Sequence, residues 1–460
     1  MNEYGEAGAD PIFAPLAFRN LSVRNRVFRS SISGRIDNYD GSGTPARVNW
    51  EERFARGGVG AVISAHAPVH VRGRILPNYA FVDDDDKIPF WRAVGQRVHA
   101  HDCRFILQLS HGGRQRDIAG VENENAPGLS STSRREPVHG LPAQAMTRRQ
   151  IAEAVQQYVA AARRAREAGL DGVELHACNG YLITQFLSAG INDRVDEYGG
   201  PLQNRARFLL EIVAAIRREV GDDFHLQVKI SAVEHNRAFL PWLRAGNRIE
   251  DTVEVCRLVE AAGVDAVHVS TGSFFPHPLN PVGEFRTVEG SRSYDAMLSS
   301  GSRTLRNYLL FRWPVSAPLV SWLWRRTQPA SPEGLCLPDA ARVRQAVSVP
   351  VICTGGFQTA SVVRRAITAG QCDAVSIARP LLANVDLVRR WAAGEDRPAR
   401  PCSYCNRCLF HVVEDPLGCY DLSRFDGDRA AMIRELMQFY QPDGFSSAAG
   451  TAPQPAAEDS

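Results

Sequence analysis

The chain has 460 residues, 44% of them hydrophobic and 23% charged, with a formal net charge of +2. This balance supports a large buried core and excludes the basic field of a nucleic-acid binder and the polar composition of a disordered chain. No apolar run is long enough to cross a bilayer, and the acidic start MNEYGEAGADPIFAPL lacks the charged-then-apolar order of a signal peptide, so a cytoplasmic location is expected.

Residues 10–16 read as a short lead-in, and apolar strands are then expected at 26–29, 60–65, 104–109, 171–176, 225–230, 265–270, 349–354 and 373–378. Helical periodicity fills the gaps. Ile151, Val155, Tyr158, Val159 and Ala162 share one face, as do Phe208, Leu209, Ile212, Val213 and Ile216. Ala168-Gly169, Ala262-Gly263 and Ala369-Gly370 each end such a helix, the glycine serving as a C-cap before a buried strand. Eight helix-separated strands predict an α/β fold, a (β/α)₈ TIM barrel over residues 10–400. The excursion 275–337, between strands six and seven, exceeds ordinary loop lengths and reads as a lid or docking element. Its aromatics and arginines suit either packing on the barrel or a membrane surface, and packing is the expectation. Residues 401–440 form a cysteine-rich extension and 441–460 a disordered polar tail.

Catalytic groups of such barrels sit at the C-terminal strand ends. There the sequence places Gln108-Leu109-Ser110-His111, then His176-Ala177-Cys178-Asn179-Gly180-Tyr181, Lys229 inside an apolar run, Thr354-Gly355-Gly356 and Ala378-Arg379-Pro380. A buried lysine needs an anion or a strong acceptor, and glycine turns with an arginine suit a phosphate. Cys178, with no basic partner evident, reads as a packing residue, and His111 and Arg114 as loop residues. The acid run 83–86 reads as a solvated loop capping a helix that begins near Ile88.

Of ten cysteines, four cluster late: Cys402, Cys405, Cys408 and Cys419. Their spacing suits an Fe–S cluster or structural zinc, or an inherited site left empty.

The tracts 108–114, 176–182 and 192–200, with Asn204-Arg205-Ala206-Arg207-Phe208, resemble the old yellow enzyme family, the FMN-dependent ene reductases, over residues 10–420. The resemblance implies FMN at the barrel mouth, with NAD(P)H as electron donor. Ser31, Ser33, Ala65, Gln108 and Lys229 would hold the ring, Lys229 replacing the family's usual arginine. Gly355, Gly356, Ala378 and Arg379 would hold the phosphate. His176 and Asn179 would bind an enone oxygen, and Tyr181 would protonate the α-carbon. The stretch Ser30-Ser31-Ile32-Ser33 departs from the family's pattern. The cysteine cluster resembles that of the 2,4-dienoyl-CoA reductase and trimethylamine dehydrogenase branch, which implies [4Fe-4S]. The chain ends soon after Cys419 without the glycine fingerprint of a second nucleotide domain. Electrons would then enter from NAD(P)H or from a donor protein.

The expected function is reduction of activated C=C bonds in small, hydrophobic alkenes, in a homo-oligomer. An amine dehydrogenase or demethylase and a non-catalytic flavin or Fe–S carrier are the alternatives.

Overall fold

The structure, a computed structural model, describes residues 10–440 apart from 117–125, 238–239, 275–276 and 296. The expected tail, 441–460, lies outside the described residues.

Eight parallel strands close a barrel. They are β1 (Val27–Arg29), β2 (Ala61–Pro68), β3 (Arg104–Ser110), β4 (Gly172–Ala177), β5 (His225–Ser231), β6 (Ala266–Ser270), β7 (Val351–Thr354) and β8 (Ala374–Ile377). Each pairs with its neighbours in chain order, and β8 closes on β1. Their outer faces bury valine, leucine and isoleucine against the surrounding helices, which is why these short runs read as apolar throughout.

The interior is less uniform. Phe28, Ile63, Ile106 and Ile352 fill one end of the barrel. Above them lies a polar layer in which the Glu174 carboxylate accepts from Gln108 Nε2 at 2.6 Å, from Gln227 Nε2 at 2.5 Å and from His268 Nδ1 at 2.7 Å. Burial pushes the Glu174 pKa up, but His268, Lys229 and Gln108 outweigh it and leave it below the ordinary value. The barrel therefore carries a buried negative charge directly beneath its mouth.

Strand β2 contains one extra residue. Ile63 pairs with Ile106 and His66 with Gln108, so three steps along β2 match two along β3. Such a bulge inverts the alternation of side chains beyond it. Its consequence is felt at the cleft.

A buried ion cluster fixes β1 to the helix Pro45–Arg56. Arg29 pairs with Glu51, while Arg47 meets Asp37 at 2.6 Å and Glu51 at 3.4 Å, all essentially without solvent contact. The extension beyond residue 400 wraps back onto the same helix, where Phe439 packs edge-on against Trp50.

The excursion between β6 and β7 leaves from a C-terminal strand end and forms three helices, Thr287–Asp295, Thr304–Arg312 and Ser316–Arg326, before the barrel helix Leu337–Arg344. The expectation of packing is only half met. Trp324 is buried in an aromatic cluster with Phe285, whose ring also meets Phe311 and Phe410. The opposite faces of the last two excursion helices carry their apolar side chains outward. Among the described residues no helix is long and apolar enough to cross a membrane.

Candidate active site

The C-terminal strand ends surround a cleft of about 290 Å³. Of the residues expected at the cofactor, Ser31, Ser33, Lys229, Gly355, Gly356, Ala378 and Arg379 line it, as do Asn179 and Tyr181. Gln108, His176 and Ala65 do not line it. Gln108 and His176 sit just below, buried in the barrel interior. The bulge in β2 accounts for Ala65: past the extra residue, His66 rather than Ala65 presents its side chain to the cleft.

His66 is the functional candidate that the sequence reading missed. Its Nε2 lies 3.0 Å from His176 Nε2, and Tyr181 packs edge-on against both rings at 5.0 and 4.8 Å. Burial pushes the His66 pKa down to about 3 and that of His176 well below its ordinary value, with the nearby Lys229 lowering both further. Both rings are therefore neutral at physiological pH, and one proton is shared between the facing nitrogens. Polar residues at the end of an apolar strand could have signalled His66, but only the bulge decides which side it faces.

Tyr181 begins the short helix Leu182–Leu187 and is nearly buried. Burial, with Tyr79 and Cys178 nearby, holds its pKa well above 10, so the phenol keeps its proton. Tyr79, also on the cleft wall, is pushed up to about 12 by burial.

Asn179 lies in the left-handed region, φ 59°, and is followed by Gly180 at φ 80°. A Cβ at position 180 would meet Ser273 O at 1.8 Å, so the turn requires glycine there. The turn is held from the excursion as well: Asn280 Nδ2 donates to Asn179 Oδ1 at 2.9 Å. With Asn280 on one lone pair of its oxygen, the Asn179 side chain keeps its NH₂ group as the donor for a ligand. An Asn280→Ala variant should release that amide and weaken carbonyl-ligand binding about three- to tenfold with the flavin site intact. Equilibrium titration with an enone analogue checks it.

The cleft fits the polar groups of FMN. Gln108 donates to Glu174, yet its own Oε1 is buried without a partner among the described residues, and so is the Ser31 hydroxyl. Among the described residues, Lys229 Nζ donates only to Ser30 Oγ, at 3.1 Å. Orphaned acceptors and a cation suit the pyrimidine edge of an isoalloxazine ring. Gly356, at φ 67°, and the start of the helix Arg379–Ala383 offer backbone N–H groups to a phosphate. The Arg379 guanidinium already donates to Asn406 and to Val282 O, and it lies 5.3 Å from the centre of the Tyr404 ring.

The cysteine site is less complete. Cys402, Cys405, Cys408 and Cys419 lie close enough that their thiols influence one another, and Cys408 borders the cleft. Burial pushes Cys402 up to about 11 and raises Cys408 and Cys419 too. Among the described residues no group of three or more His, Cys, Asp or Glu side chains is arranged to hold a metal ion.

Residues 11–277 match the family described as NADH:flavin oxidoreductase / NADH oxidase. The chain is 28% identical to an NADH oxidase of Thermoanaerobacter brockii, covering 86% of this chain and 52% of that protein. It is 26% identical to a cinnamate reductase of Clostridium sporogenes, covering 86% and 54%. It spans about half the length of these relatives. Among solved structures, the complex of 2-naphthoyl-CoA reductase with 2-naphthoyl-CoA superposes with a TM-score of 0.72 at 23% identity, over 91% of this chain and 58% of that one.

Proposed function

Because the chain belongs to the NADH:flavin oxidoreductase / NADH oxidase family, we propose that it is an FMN-dependent, NAD(P)H-linked reductase of activated C=C bonds. The observation that carries this reading is that Lys229, the Ser31 hydroxyl, His66, Asn179 and Tyr181 line one cleft, with the orphaned Gln108 oxygen and His176 just below it. Similarity to a cinnamate reductase supports an alkene substrate.

A flavin bound in the cleft would supply the hydride, taken from NAD(P)H, that adds to the β-carbon of the alkene. The remaining work falls to the protein. Ser31, Ser33, Gln108 and Lys229 would hold the ring, and Gly355, Gly356, Ala378 and Arg379 would hold the phosphate. With a substrate bound, the Nε2–H that His176 and His66 share would turn from the facing nitrogen to the substrate's carbonyl oxygen, which also takes the Asn179 NH₂, as negative charge develops there. Neutral imidazoles do this without first losing a proton to solvent. Tyr181, kept protonated by burial, delivers its proton to the α-carbon. The aromatic and apolar wall, including Ile75, Leu76 and Leu279, favours a hydrophobic alkene and limits water.

The four cysteines enter this reading as a site that closes on metal, as an Fe–S cluster or structural zinc, and no electron step is assigned to them. Iron, sulfide and zinc analysis of anaerobically purified protein should find one of these; absence of all three after reconstitution would mean the site is empty.

Anaerobic half-reactions test the proposal. NAD(P)H should bleach the FMN-loaded protein, and an enone should restore the oxidised spectrum. Bleaching by an amine would instead indicate an amine dehydrogenase, and no turnover with either substrate would indicate a carrier.

A further inference from the structure

The helices Thr304–Arg312 and Ser316–Arg326 turn a row of apolar side chains to solvent. Their inner sides are packed and bonded: Phe311 and Trp324 meet Phe285, Asn307 Nδ2 donates to Val138 O of the body at 2.8 Å, and the buried Thr304 hydroxyl donates to Leu298 O and Gly301 O within the excursion. Arg303 N donates to His139 O at 3.0 Å. Trp324 Nε1 donates to Gly283 O at 2.9 Å. The hairpin is thus fixed to the barrel, not loosely appended.

Its outer sides are apolar. Leu305, Leu309 and Trp313 repeat every four residues on the first helix and its end, with Leu305 56% and Trp313 65% exposed. Val315, Leu319 and Leu323 follow the same spacing on the second helix and its start, with Trp322 beside them, Val315 being 78% and Trp322 45% exposed. A water-facing helix surface of this kind is the reverse of what a globular chain selects.

Charge narrows the occupant. Residues 297–332 contain five arginines, Arg303, Arg306, Arg312, Arg325 and Arg326, and no acidic residue, although the whole chain is nearly neutral. The Arg326 guanidinium lies 4.7 Å from the centre of the Trp322 ring. Apolar side chains bordered by arginine and tryptophan match the boundary between acyl chains and anionic headgroups. A symmetric contact between two copies would instead set the five arginines of each against those of the other.

We propose that this hairpin docks the protein on the surface of an anionic phospholipid bilayer, inserting Leu309, Trp313, Leu319 and Trp322 at the headgroup level without spanning it. Both ends of the excursion, at Leu279–Val282 and at Pro332–Cys336, border the cleft. Docking would therefore hold the rim of the cleft close to the lipid.

Flotation of the FMN-loaded full chain with vesicles tests this. It should rise with phosphatidylcholine vesicles containing phosphatidylglycerol, less with phosphatidylcholine alone, and less again at high salt. Trp313→Ser with Trp322→Ser, both at exposed positions, should lower partitioning about tenfold or more. Arg325→Gln with Arg326→Gln should abolish most of the preference for anionic vesicles while leaving the flavin spectrum unchanged. The proposal is overturned if the wild-type chain stays unbound to both vesicles, or if neither pair of substitutions changes binding. It is equally overturned if the chain ignores vesicles and light scattering shows a dimer that the tryptophan substitutions dissociate.

Discussion

Replacing Tyr181 with Phe should slow reoxidation of the reduced protein by an enone about 10²- to 10⁴-fold, the usual worth of a positioned general acid. Reduction by NAD(P)H should change less than about twofold, because that half-reaction needs no proton from Tyr181. Phe preserves the edge-on contacts with His66 and His176, so the change removes the hydroxyl with little loss of shape. The alkene half-reaction of the wild type should also be nearly flat between about pH 5 and pH 9. Over that span the Tyr181 phenol stays protonated, since its pKa is raised, and His66 and His176 stay neutral, since theirs are lowered. Stopped-flow traces of both half-reactions across pH check each point. Equal slowing of the two half-reactions in Tyr181→Phe would remove the proton donor from the account.

The second large effect concerns stability. Glu51→Ala should destabilise the protein by about 3–5 kcal/mol, because it leaves the Arg29 guanidinium buried without its carboxylate. Arg47 keeps Asp37 and would suffer less. Arg29→Met combined with Glu51→Leu should recover most of the loss, since an apolar pair of similar volume avoids burying charge altogether. Urea unfolding under refolding conditions measures both. A loss below about 1 kcal/mol for Glu51→Ala would show that water or another group already satisfies Arg29.

The barrel was legible because its strands are buried on both sides and its helices carry a clear period. Asp171, Asp265 and Asp373 each precede a strand, and the observed strands begin one residue later, at Gly172, Ala266 and Ala374. What escaped depends on relations between strands. The extra residue in β2 leaves no mark in composition, yet it exchanges Ala65 for His66 at the cleft. Asn280, which fixes the Asn179 amide, lies about a hundred positions away in the sequence, with a separation of 101 residues. The excursion was legible only in part for a related reason. Its aromatics and arginines were visible, but which helix face carried them was not, and Trp324 packs inward while Trp313 and Trp322 face out.

The central claim is that this cleft passes electrons from NAD(P)H to an activated alkene and places the proton itself. Its most direct test is product labelling. With NAD(P)H deuterated at the transferred position, the reduced enone should carry deuterium at the β-carbon; in D₂O with unlabelled NAD(P)H, the label should appear at the α-carbon. Oxidation of NAD(P)H by oxygen alone, with the enone recovered unchanged, would contradict it.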